Sequence, residues 1–115
     1  MKTLNFLEIS TFEKIGFLNT TAGILTDGAN EMYISGFTGS YVIKSKGTTN
    51  FSPSFDCLLE TPLYKAIAFK YWYDKFILES LSTLKNWLSD MLSTGIGCYD
   101  KHRVKAIKAA IKIKS

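Results

Sequence analysis

Apolar positions along this chain change their spacing near residue 60. Before it they come in short alternating runs broken by glycine, and after it they recur every three or four residues. Met32 and Ile34 alternate with Tyr33, Ser35 and Phe37, and residues 41–46, Tyr-Val-Ile-Lys-Ser-Lys, are rich in β-formers and end at Gly47. Phe37-Thr38-Gly39-Ser40 is the turn between them, so residues 31–46 read as a β-hairpin. Residues 22–26 run into the turn pair Asp27-Gly28, and residues 48–51 offer a further strand before Pro53 stops pairing. Connections this short leave no room for crossover helices, which makes the sheet antiparallel. Residues 4–9 fit strand or helix. Ser10-Thr11-Phe12-Glu13 matches a capping box and predicts a short helix over 11–18, with Phe12, Ile15 and Leu18 on one face.

Thr61-Pro62 is a helix start, because threonine caps and proline in the first turn gives up no needed donor. No glycine or proline follows until residue 93 is passed. Ile77, Leu81, Leu84, Leu88 and Met91 keep a 4-3-4-3 spacing, with Lys75, Glu79, Ser82, Asn86, Ser89 and Asp90 opposite, which is an amphipathic helix. The preceding stretch is apolar nearly all round: Tyr64, Phe69, Tyr71, Trp72, Tyr73 and Phe76 crowd it. Its composition also suits a strand over 67–73, but no turn residue separates it from the helix that follows, and helix is the preferred reading, with a break near Asp74 tolerated. Gly95-Ile96-Gly97 ends that helix. Residues 99–113 then form a last one, in which Val104, Ile107 and Ile111 are expected to dock while Lys101, Lys105, Lys108 and Lys112 share a neighbouring stripe that faces outward. The fold class is therefore α+β: a small antiparallel sheet in the N-terminal half, packed against a long helix and a basic C-terminal helix. At 115 residues the chain has the length of a single domain, mostly β over 1–60 and helical over 61–115.

Charge sharpens this picture. Residues 1–100 hold eight lysines and ten acids, whereas residues 101–115 hold Lys101, Arg103, Lys105, Lys108, Lys112 and Lys114 and no acid. A basic end on a mildly acidic body points to an anionic partner. The longest uncharged runs, 15–26 and 32–43, are twelve residues each, too short for a spanning helix of about 20. The first residues lack the long apolar stretch of a signal peptide, which makes the expected location intracellular and cytoplasmic. There the two cysteines, Cys57 and Cys98, are expected to be buried thiols.

Catalytic patterns are scarce. Gly36-x-x-Gly39 lacks the ending of a phosphate loop, there is no GxSxG, and His102 is the only histidine. Cys98-x-x-x-His102 is half a zinc site, and completing it would take Cys57 and an acid. Asp27 with Glu31, or Asp56 with Glu60, has the spacing of a surface or cap pair more than of an acid–base couple. The expectation is thus a non-enzymatic protein without cofactor or metal. Sixteen of 115 residues are aromatic, and aromatics dominate interface hot spots. The leading expectation is an inhibitor or regulator that binds a protein partner through Tyr64, Phe69, Tyr71, Trp72, Tyr73 and Phe76, a composition shared with small accessory proteins of viruses and mobile elements. The alternative is a nucleic-acid-binding regulator using Lys101, Arg103, Lys105, Lys108 and Lys112, insensitive to sequence because lysine serves phosphates and base reading leans on arginine, asparagine and glutamine. The chain also admits self-association.

Overall fold

Asn5 starts the first helix, α1 (Phe6–Glu13): its side chain accepts from the Glu8 amide at 2.9 Å, and the Glu8 carboxylate accepts from the Asn5 amide at 3.0 Å. This reciprocal cap lies upstream of the predicted one. The helix expected over 11–18 is correspondingly displaced, because Thr11 turns its hydroxyl to the Leu7 carbonyl (2.8 Å) and does not cap. The computed structural model describes residues 3–20, 23–94 and 101–115. Gly95-Ile96-Gly97, Cys98, Tyr99 and Ala22 lie outside them.

Five antiparallel strands follow as a meander in the order β1-β2-β3-β4-β5: β1 (Leu18–Asn19), β2 (Leu25–Thr26), β3 (Asn30–Ile34), β4 (Tyr41–Ser45) and β5 (Thr48–Ser52). The expected hairpin is β3–β4, in register Met32 to Ile43 and Ile34 to Tyr41. Asp27 shapes the β2–β3 turn, its carboxylate accepting from the amides of Ala29 (3.0 Å) and Asn30 (2.7 Å), while Gly28 takes a positive φ. Between β4 and β5, Lys46 and Gly47 both have positive φ, the geometry that lets a two-residue turn follow the twist of its strands.

One face of the sheet carries Leu25, Met32 and Ile43 as a cross-strand row, all fully buried. Tyr41 shares that face, and its ring meets Phe55 of α2 (Phe55–Leu59) at 5.6 Å. Phe12 is the hub of this core, touching the rings of Phe17, Phe55 and Tyr64 at 5.1, 6.0 and 5.4 Å. The opposite face bears the row Tyr33, Val42 and Phe51, of which Val42 is buried and Phe51 exposed.

Thr61 caps α3 (Pro62–Phe76), accepting from the Tyr64 amide at 3.2 Å. The long apolar run of 62–93 is two helices, since residues 77–80 leave the helix and α4 (Leu81–Thr94) starts anew. Ser80 is the reason: its hydroxyl accepts from the Thr83 amide (3.3 Å) and its carbonyl from the Leu84 amide (3.0 Å). The last helix, α5, spans Lys101–Lys114. The chain divides into two compact units, Met1–Lys65 and Ala66–Ser115. In the second, Phe76, Leu84, Ala106, Ile107 and Ala110 form the core, with Phe69, Trp72, Tyr73, Leu88, Met91 and Ile111 packed around it. Among the described residues no helix is long and apolar enough to cross a membrane.

Candidate functional site

On α5 the predicted polar and apolar sets separate. Lys101, Lys105, Lys108 and Lys112 are all exposed, and at about 100° per residue they fall within about 60° of arc. Their helix contains no acidic residue. Elsewhere Lys65 pairs with Glu60 at 3.3 Å and Lys70 with Asp74 at 2.8 Å. The hydrogen bond and charge of Asp74 hold Lys70 above its ordinary pKa.

The docking face of α5 differs from the expected one. Ile107 is buried, but Val104 and Ile111 are only half-buried, and the centre of the buried face is Ala106 and Ala110 beside His102. Alanine one turn from alanine lets a neighbouring helix approach closely, and this face packs with Leu84 of α4 and Phe76 of α3. Reading large aliphatic residues alone placed the seam too near the lysines. Arg103, grouped with the basic stripe by sequence, belongs to neither set: it is half-buried, with its guanidinium carbon 4.1 Å from the centroid of the Trp72 ring.

The aromatic set divides as well. Tyr64 and Phe76 are buried, Tyr64 in the core around Phe12 and Phe76 in that of the helices. Phe69, Tyr71, Trp72 and Tyr73 are half-buried, tied by ring contacts that include Phe69 stacked on Tyr73 at 5.8 Å and Trp72 on Phe76 at 5.8 Å. The ring that sequence reasoning passed over is Trp87, 39% exposed on α4. Its signal was available, since at about 100° per residue it stands about 40° from Met91, at the edge of the apolar face of that helix.

Of the two cysteines, Cys57 is exposed and not the buried thiol expected, because α2 is five residues long and turns Leu58 and Leu59 inward instead. Cys98 lies outside the described residues. Among those residues no three metal-ligating side chains converge. Asp27 is engaged in its turn, and Glu60 with Lys65. No family model, curated protein or solved structure matches the chain. The α+β architecture and the geometry above are therefore what bears on function.

Proposed function

We propose that this chain is a non-enzymatic binding protein that lays the lysine face of α5 on a polyanion, with the nucleic-acid backbone as the partner of matching chemistry. The observation that carries the reading is the placement of Lys101, Lys105, Lys108 and Lys112: four exposed ammonium groups on one stripe, about 17 Å end to end, with no acid on the helix. Lysine is a compact, strongly hydrated point charge, suited to phosphate oxygens and unable to form the bidentate fork by which arginine reads a base. Binding of this kind is insensitive to sequence. Contact with a protein through the aromatic segment has less geometry behind it, since Tyr64 and Phe76 lie in the cores and no member of that set is exposed.

The test replaces all four lysines by glutamine and measures mobility shift on two duplexes of unrelated sequence. Each surface substitution is expected to change stability within about 0.5 kcal/mol, so the variant folds. The unmodified chain should bind both duplexes alike and the variant neither. Equal binding by the two proteins would overturn the reading.

A further inference from the structure

The first unit ends its sheet on an open strand. β5 is the last of the meander, so no strand among the described residues pairs with its far side, and Thr48, Thr49 and Phe51 are exposed. The other outer strand, β1, is two residues long. In a hairpin with a two-residue turn, the residues that flank the turn exchange both main-chain bonds, and bonded and non-bonded pairs alternate from there. Ser45 and Thr48 flank the Lys46-Gly47 turn. Thr48, Asn50 and Ser52 therefore bond to β4, while Thr49 and Phe51 direct their N–H and C=O groups outward. Open edges are commonly blunted by a charge, a proline or a bulge. The strand Thr-Thr-Asn-Phe-Ser has no charge and no proline, and it pairs with β4 residue for residue.

We propose that β5 pairs with β5 of a second copy of this chain, antiparallel about a two-fold axis at Asn50, so that two sheets become one. The register follows from the outward groups. Thr49 exchanges both main-chain bonds with the partner's Phe51, and the axis repeats the exchange. On the other face Asn50 then meets the partner's Asn50, and Thr48 the partner's Ser52. No charge faces a like charge along this ladder. Phe51, 68% exposed in the single chain, gains the partner's Thr49 as a neighbour, an aromatic–β-branched pair that stabilises strands. Pro53 has no N–H to offer and ends the ladder where the partner's turn begins. Charge agrees at both ends. The register sets exposed Lys46 against the partner's Ser54, the N-cap of α2, whose first turn carries exposed Asp56. Residues 1–65 hold five lysines and six acids, so copies of this unit repel each other little. An extended segment of another protein could use the same main-chain groups. A second copy is favoured because it brings a neutral side chain to every paired position and an acid beside each Lys46.

A five-residue ladder is smaller than a standard interface, so the dimer is a weak one, with a dissociation constant on the order of 0.1 mM. Sedimentation of the full chain from about 10 µM to about 1 mM brackets that value and should show the mass rise from one chain towards two. Over the same series the amide resonances of Thr49 and Phe51 should move and gain protection from hydrogen exchange, while those of Thr48, Asn50 and Ser52 stay protected throughout. Thr49→Pro removes an N–H that β4 does not use and should abolish the association. Phe51→Lys puts a charge at an exposed edge position and should weaken it by at least about tenfold. The variant with all four α5 lysines changed to glutamine should associate as the unmodified chain does, whatever becomes of its polyanion binding. A chain that stays single at the highest concentration, shifts that spare Thr49 and Phe51, association untouched by either edge substitution, or its loss in the lysine variant would each overturn the proposal. Should Thr49→Pro fail to fold, Phe51→Lys and the series on the unmodified chain decide.

Discussion

Glu8 serves two structures with one carboxylate. One oxygen accepts from the Asn5 amide and closes the cap of α1; the other accepts from the Tyr41 hydroxyl at 2.5 Å, 33 residues away on β4. Both side chains are buried, so this bond fastens the first helix to the sheet inside the core of the first unit. Tyr41→Phe keeps the ring contact with Phe55 and removes only the donor. The expected cost is about 1.5–3 kcal/mol, since a buried acceptor then loses a charge-assisted partner, read as a lower urea midpoint with an unchanged slope. The Lys46-Gly47 turn holds two residues at positive φ. A Cβ on Gly47 would meet no neighbour within 4 Å, so Gly47→Ala tests the positive φ alone and should cost about 1–2 kcal/mol by the same measurement.

At the scale of elements, the helices packed most closely are the ones with least side chain between them. Ala106 and Ala110 are fully buried on α5 among Leu84, Phe76 and Ile107. Ala110→Leu should lower stability by about 1–3 kcal/mol through overpacking, whereas Lys108→Leu, on the exposed side, should leave the thermal midpoint nearly unchanged. The β3–β4 hairpin and the amphipathic half of the helical region were legible in the sequence because their periods are local and their turns carry glycine. The break between α3 and α4 was harder to read. It contains neither glycine nor proline, and its signal is one serine, Ser80, whose capping role emerges only when the chain around it has left the helix. Capping misled at α1 for a related reason. Ser10 to Glu13 and Asn5 to Glu8 both carry suitable residues, and burial of Glu8 against Tyr41 selects the second.

For the whole molecule, the asymmetry of charge has a measurable consequence. Each phosphate that a lysine neutralises on duplex DNA contributes about −0.9 to the slope of log affinity against log salt, so four working lysines account for a slope of about −3.6. Fluorescence anisotropy across a salt series should show that slope for the unmodified chain; a flat dependence would reduce the stripe to a solubilising face. The stripe itself was written in the sequence, because positions four, three and four apart must share a side of any helix. So were strands β2 to β5 and their antiparallel order, fixed by alternation and by short connections, whereas β1 begins at Leu18, which the sequence placed in a helix. What period alone leaves open is which element each face meets. Val42 is buried on the side of the sheet where its cross-strand neighbour Phe51 is exposed, and small Ala106 and Ala110, not larger Val104 and Ile111, centre the seam of α5. Trp72, Trp87 and Arg103 stand on three different helices and meet only when those helices pack. Alternation and helical spacing are properties of neighbouring residues, so the sequence by itself determined strands β2 to β5, the amphipathic helix α4 and the lysine stripe of α5. The partners of those faces depend on contacts between residues far apart in the chain, and tertiary packing alone decided them.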